Sequence, residues 1–318
     1  MFSLKKLYDS YIICNREEKS YRTQKAAQSS YPEYYNWWAD EIGSWFEKRY
    51  KSYLGASKFA FCSVFGEKGA LGLIPDDKVF FTGENVHKKE FVNYSDHLLS
   101  DSKTRLSLGF DCFEHEKYIR FPLWILYMFS PNSSDSDIIE RCALLRNPEI
   151  QNRPFFCSMI ASHDPQFVRK EIVGTIGQLA EVKCAGKYLH NDDSLKSLFG
   201  DKKTEYLKQF KFNICPENSN SFGYVTEKVF EAISSGCIPI YWGSYNNPEP
   251  GILNKDAIVF WSPGKDNAST ISLISELSSS SSKYDEFARQ PRLVDGAEDV
   301  ILGMIHSLDK RMADLFSE

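Results

Sequence analysis

Residues 210–243 read FKFNICPENSNSFGYVTEKVFEAISSGCIPIYWG. The first six, FKFNIC, form a short apolar run of the kind that makes a buried strand. ENSNSFGY follows as a polar loop, and Thr226 sits where a helix N-cap belongs. Val229, Phe230 and Ile233 then recur at helical spacing as an inward face, Gly236 ends the helix, and CIPIYW (237–242) is the next strand. The same order stands upstream. FFCSMIAS (155–162) predicts a strand, Asp164-Pro165 an N-cap and first helical position, and Phe167, Val168, Ile172, Val173, Ile176 and Leu179 a helix face. Two strand–helix–strand units in one half imply an α/β fold with a parallel sheet covered by helices.

Working towards the N-terminus, FAFCSVF (59–65), KVFFTG (78–83) and RLSLGF (105–110) are further buried strands, each closed by glycine or acidic residues. The polar segment up to about residue 30 carries a stripe of Leu4, Leu7, Tyr8, Tyr11 and Ile12 that predicts a short amphipathic helix. PNSSDSD (131–137) is a polar loop and, with the charged stretch to Arg153, marks the connection between two domains, residues 1–145 and 146–318. The serine tract 278–282 predicts a flexible surface loop. Ile301, Leu302, Ile305, Leu308, Met312 and Leu315 predict a terminal amphipathic helix that packs across both domains.

Composition narrows the function. A chain of 318 residues that is 42% hydrophobic buries a large core, and its length suits two domains. A net charge of -5 with interspersed acids and bases offers no basic stripe for a phosphate backbone, which argues against nucleic acid as a partner. The longest apolar run, FPLWILYMF (121–129), is far short of the roughly 20 residues of a membrane span, and no signal pattern precedes it. The expected location is therefore the cytosol, with peripheral contact at the inner face of a membrane as the variant in which a lipid-linked glycan is the acceptor. The eight cysteines show no Cys-x-x-Cys pairing and read as reduced, apolar side chains. The six histidines lack ligand spacing, and Gly66, Gly69 and Gly72 lack that of a dinucleotide fingerprint.

The chemistry concentrates at the start of the 226–234 helix. Beyond the carboxyl ends of parallel strands, a helix N-terminus presents free N–H groups and partial positive charge to an anion. Lys228 lies in that first turn, where a cation opposes the helix dipole, so a bound phosphate would account for it. Arg169 lies early in the preceding helix and suits the same crevice. Both also suit solvated charges paired with Glu227 and Glu171, and Glu227 by itself suits a helix start.

Glu217-Asn218, Gly223 through Lys228, Gly236, and Ile238-Pro239-Ile240-Tyr241-Trp242-Gly243 together resemble the signature of the α1,3-fucosyltransferases, glycosyltransferase family ten. The resemblance continues through Asn36-Trp37-Trp38-Ala39-Asp40-Glu41, Phe65-Gly66, Val79 through Asn85, Gly109-Phe110-Asp111 and Tyr118 through Pro122. It spans residues 31–261 and is closest in kind to the soluble bacterial members. It implies a GT-B architecture, two Rossmann-like domains facing a cleft, with GDP-fucose on the C-terminal domain and the oligosaccharide acceptor on the N-terminal one.

Carried over by motif, Arg169 and Lys228 contact the diphosphate, Asn218, Tyr224, Val225 and Thr226 the nucleotide-sugar, and Glu227 the fucose hydroxyls and the reaction. Lys202 and Lys203 fall in the family's nucleotide-contacting loop. Glu84, directly after KVFFTG, resembles the family's proposed catalytic base. Its ordinary pKa of about 4.3 keeps it ionised at neutral pH, although its place after Gly83 also suits a turn residue facing water. Trp38, Asp40 and Glu41 are candidate acceptor contacts, with paired tryptophans equally suited to a core.

Asp135-Ser136-Asp137 has the form of a metal-holding Asp-x-Asp but does not follow an apolar strand. Arg169 with Lys228 supplies positive charge for a leaving diphosphate, so no metal site and no cofactor are expected. The activity implied is inverting transfer of L-fucose from GDP-fucose, in α1,3 linkage, to N-acetylglucosamine of an N-acetyllactosamine-type glycan. The alternatives are another linkage or acceptor, and a non-catalytic nucleotide-sugar-binding module. After Pro122 the run 123–129 is nearly all apolar where relatives place polar groups, which bears on the identity of the acceptor.

Overall fold

The computed structural model describes residues 4–37, 40–54, 58–148 and 151–317. The chain divides into two compact units: Met1–Leu126 with Ser130–Asn132 and Gly303–Glu318, and Tyr127–Phe129 with Ser133–Leu302. The chain thus changes unit ahead of the helix Asp135–Arg146, which lies wholly in the second unit, and not at 145/146. The reason is local. Ser134 accepts from the Asp137 N–H while the Asp137 carboxylate takes the Ser134 N–H, a capping box that starts a helix where a loop is expected. Asp135-Ser136-Asp137 is the first turn of that helix.

The first unit is built on a five-stranded sheet of β1 (Glu33–Tyr35), β2 (Phe59–Cys62), β3 (Asp77–Phe81), β4 (Thr104–Gly109) and β5 (Tyr118–Arg120). Its strands lie in chain order and are all parallel. Phe61, Phe80 and Phe81 are fully buried, as central parallel strands covered on both faces require. Trp37 belongs to this core: its ring lies 5.3 Å from Tyr34 and 6.0 Å from Phe61. Its twin Trp38 is outside the described residues, and Asp40 and Glu41 open the helix Asp40–Arg49.

The second unit holds β6 (Phe155–Met159), β7 (Val182–Cys184), β8 (Phe210–Ile214), β9 (Ile238–Tyr241) and β10 (Val259–Phe260), again all parallel. Here the spatial order is β10-β9-β8-β6-β7. Val168, Ile172 and Ile176 from one covering helix and Ile274 and Leu277 from another close its core over Phe212, Ile238 and Ile240.

Several helices differ from expectation. The N-terminal helix runs the full length Leu4–Ala27, and its Tyr8, Tyr11, Ile12 and Ile13 are exposed, so these four do not anchor it. Its second half does that, through Tyr21 stacked on Tyr35 at 5.8 Å and Gln24 bonded to Asn36 at 2.6 and 3.0 Å. The helix after β6 begins at Val168 and not at Pro165. Phe167 takes a left-handed backbone (φ 58) and is 74% exposed, while the Asp164 carboxylate reaches forward to the N–H groups of Arg169 (3.2 Å) and Lys170 (2.8 Å). The serine tract is a helix–helix junction: Ser280 separates Ala268–Ser279 from Ser281–Ala288 and caps the second through the Lys283 N–H.

The terminal helix Ala297–Ser317 buries Ile301, Ile305, Leu308 and Met312. Its Glu298 pairs with Arg146 in the second unit, and its Asp309 takes Arg49 at 2.7 and 2.6 Å in the first. No helix among the described residues is long and apolar enough to cross a membrane.

Candidate functional site

In a doubly wound parallel sheet the ligand crevice opens where successive connections leave in opposite directions. In the second unit the chain goes from β6 to β7 on one side, returns across β6 to form β8, and continues outward through β9 and β10. The reversal lies between β6 and β8. The loops leaving the carboxyl ends of these two strands meet there through Arg169, whose guanidinium donates to the carbonyls of His163 (3.0 Å) and Pro216 (2.9 Å) and to Asn218 Oδ1 (3.0 Å). Arg169 is 3% exposed. Burial pushes its pKa below the ordinary guanidinium value, with the charges of Asp164 and Glu217 opposing that shift. It is not a solvated partner of Glu171, which instead accepts from Trp261 Nε1 at 2.9 Å and from the Gly264 N–H.

The loop 215–226 is closed by a residue that spacing did not single out. Glu217 is fully buried, and its carboxylate accepts from the Thr226 N–H (2.8 Å) and hydroxyl (2.7 Å) and pairs with Lys228 Nζ at 3.5 Å. Burial pushes its pKa up; Lys228 counters that and Glu227 adds to it. Thr226 is the N-cap of the helix Glu227–Ser234, yet its hydroxyl caps nothing, being spent on Glu217. Gly243, at φ 150, makes room for this carboxylate, because a Cβ there would stand 2.6 Å from Glu217 Cγ and 2.7 Å from the Tyr241 hydroxyl.

Lys228 Nζ reaches Thr226 Oγ1 at 2.8 Å and Glu227 at 3.3 Å. Burial alone would lower its pKa, but the carboxylates of Glu227 and Glu217 outweigh burial and hold it protonated. Lys228 in the first helical turn thus pairs with Glu227, as its position allowed, and with Glu217 as well. Glu227, in turn, is kept ionised: burial would raise its pKa, but Lys228 and its own N–H at the helix start bring it below the usual range. Tyr224 and Val225 are each 1% exposed within the loop.

Next to this cluster, at the β7 side, lies a cavity of about 650 Å³ lined by Ser162, Gly186, His190, Asp193, Lys196 and Lys203 among others. Its size is that of small-molecule sites. Lys203 links the two regions: it lines the cavity and pairs with Glu231 at 3.2 Å, one turn beyond Glu227. Lys202 is exposed and does not line it. On the β9–β10 side a second cavity, of about 460 Å³, is bordered by Asn220, Trp242 and Tyr245. Ser244, Tyr245 and Asn246 all take left-handed backbones (φ 47, 51 and 54), held by Ser244 Oγ on the Gly223 N–H and by Asn220 Oδ1 on the Tyr245 N–H. Three such non-glycine residues in a row carry strain, a mark of functional loops.

In the first unit, Glu84 lies in the loop just past the carboxyl end of β3, half-buried, with its backbone tied to the Thr82 hydroxyl at 3.1 Å. All eight cysteines are free, and burial pushes the Cys142 and Cys184 thiols up to about 11.

Two five-stranded parallel sheets with ligand-edge loops of this kind define a GT-B-like α/β protein. The match with known proteins makes that specific. Residues 151–290 match the family described as glycosyltransferase family 10 (fucosyltransferase) C-term, and residues 30–127 match the alpha-(1,3)-fucosyltransferase FucT N-terminal domain. The chain belongs to the family-10 fucosyltransferases. It is 27% identical to the Helicobacter pylori alpha-(1,3)-fucosyltransferase FucT over 66% of this chain and 49% of that one. It is also 30% identical to the Drosophila melanogaster alpha-(1,3)-fucosyltransferase B over 32% of this chain and 22% of the other. The chain thus spans about half, or less, of the curated relatives it matches. Among solved structures, an alpha1,3-fucosyltransferase aligns with TM-score 0.60 at 22% identity over 86% of this chain and 88% of that chain. One with GDP-fucose aligns with TM-score 0.56 at 21% identity over 91% and 95%. These share the fold.

Proposed function

We propose that the protein transfers L-fucose from GDP-fucose, with inversion and in α1,3 linkage, to N-acetylglucosamine of an N-acetyllactosamine-type glycan. The observation that carries this reading is Arg169 bridging the β6 and β8 loops at the strand-order reversal, beside a charged cluster in which Lys228 pairs with Glu217 and Glu227. A guanidinium there meets a diphosphate with free N–H groups left over, since it has five and three are used. The second unit holds the donor: Arg169 and Lys228 on the diphosphate, the nucleoside in the cavity that Lys203 lines, Asn218 and Thr226 framing the crevice, and Glu227 receiving fucose hydroxyls. Tyr224 and Val225 act by shaping the loop.

The first unit takes the acceptor. Glu84 removes the proton from the attacking hydroxyl while positive charge stabilises departing GDP. Stabilisation of the leaving group falls to Arg169 and Lys228 in this reading, and no divalent metal is expected. The enzyme acts in the cytoplasm, at the inner membrane face where its acceptor is lipid-linked. The test is a panel of lactosamine-type acceptors with GDP-fucose, with and without chelator, scored for GDP release and for linkage by NMR. A chelator-resistant α1,3-fucosylated product is expected. GDP binding without release to any acceptor would leave a binding module in place of an enzyme.

A further inference from the structure

The loop after β3 and the eight-residue connection between β4 and β5 bring three titratable side chains together at the carboxyl edge of the first sheet. Asp111 accepts from His97 Nε2 at 2.6 Å and from His87 Nε2 at 2.9 and 3.0 Å, and its own carbonyl takes the Tyr118 hydroxyl at 3.2 Å. His97 is 1% exposed. Its backbone is left-handed, as is that of Leu98 (φ 51 and 55), and its Nδ1 is buried with no hydrogen-bond partner. Strained backbone and an unpaired buried nitrogen both cost free energy, so packing alone does not explain why this ring is placed here. Gly109 accommodates it, since a Cβ there would lie 3.0 Å from His97 Cε1 and 3.1 Å from the Tyr118 hydroxyl.

His87 is what this arrangement orients. Its backbone N–H donates to Asn85 Oδ1 at 2.9 Å and its ring stands perpendicular to Phe110 at 5.9 Å, yet its side chain is 48% exposed. An ionised carboxylate only accepts, so His87 Nε2 carries the hydrogen and, in the neutral ring, Nδ1 keeps its lone pair. Among the described residues no hydrogen bond reaches that Nδ1. The cluster is joined by hydrogen bonds from both rings to Asp111. The outcome is an immobilised, exposed hydrogen-bond acceptor three residues after Glu84 on the same loop.

We propose that His87 Nδ1 accepts a hydrogen bond from one hydroxyl or amide N–H of the acceptor saccharide, with Asp111 and His97 as its positioning residues. This rests on the reading above that the first unit takes the acceptor. The test compares wild type, His87→Ala, His87→Asn and Gly109→Ala on a parent acceptor and on its monodeoxy and de-N-acetylated analogues, with GDP affinity measured in parallel. His87→Ala raises the acceptor KM about tenfold, the scale of one hydrogen bond at its upper range, and leaves GDP affinity within about twofold. One analogue loses about tenfold in wild type but less than about twofold in His87→Ala, because the partner is already gone. His87→Asn, whose amide oxygen takes the place of Nδ1, recovers part of the loss. Gly109→Ala, which displaces the His97 ring, raises acceptor KM without changing GDP affinity. An unchanged acceptor KM in His87→Ala, or equal losses with every analogue in both proteins, overturns the proposal while leaving fucose transfer intact. Wild type that transfers to no acceptor would instead bring down the functional reading underneath it.

Discussion

The two sheets have the same number of parallel strands and the same buried apolar character, but one runs in chain order and the other reverses between β6 and β8. The reversal separates two loops and leaves a crevice that buried charge can line, and Arg169, Glu217 and Lys228 line it. The in-order sheet has no reversal. Its polar groups, Glu84, His87 and Asp111, are carried by loops strung along the strand ends: His87 and His97 hold Asp111 by hydrogen bonds, and the Glu84 backbone is tied to Thr82. Connectivity, more than composition, thus decides where each half can hold a charged ligand.

The sharpest way to break this comparison is to remove the group each half contributes. Glu84→Ala is expected to lower kcat by about 10²–10⁴, the range of general-base catalysis, with GDP affinity unchanged. A kcat within a few-fold of wild type would place the base elsewhere. Arg169→Ala is expected to weaken GDP binding by about 10–100-fold, the scale of hydrogen bonds to a charged group, read by calorimetry. Gly243→Ala should cost about 1–3 kcal/mol of stability through overpacking on Glu217 and Tyr241, measured by urea unfolding, while the same change at Gly72, where nothing lies within 4 Å, should not.

The buried carboxylates of the two halves should respond to pH with opposite sign. Asp111 is held below the usual range: burial would raise it, but the hydrogen bonds from His97 and His87 outweigh burial. Its contribution is present above the unfolded value of about 3.9 and is lost as pH falls through the folded one. Glu217 is raised, chiefly by burial, so the folded state binds more protons and stability falls as pH rises from about 4.3. Unfolding measured from pH 3 to 7 should therefore give wild-type-minus-variant differences that rise with pH for Asp111→Asn and fall for Glu217→Gln. Smallest of all, Asp164→Ala removes the acceptor for two helix N–H groups and should cost about 1 kcal/mol, the worth of a cap.

Much of the second unit was legible in the chain: strand, loop, cap and helix follow from FKFNIC, Thr226 and the Val229–Phe230–Ile233 face. β1, β5, β7 and β10 are two or three residues long, too short for any period to register. Strand order depends on long-range pairing, so the reversal had no local signal. Glu217 stands in the most informative stretch, but its role depends on a loop folding back nine residues to Thr226. Arg169 was found as a cation near a helix start, whereas two of its three guanidinium partners lie 47 and 49 residues away. His97 and Asp111 meet across the whole of β4, and only the resemblance drew notice to Asp111.

The central claim, that the crevice at the reversal holds a diphosphate, is tested most directly by measuring GDP and guanosine binding to wild type and Arg169→Ala by calorimetry. Wild type should prefer GDP by a wide margin, and the variant should lose about 10–100-fold on GDP while binding guanosine as before. Equal GDP affinity in the two proteins would contradict it.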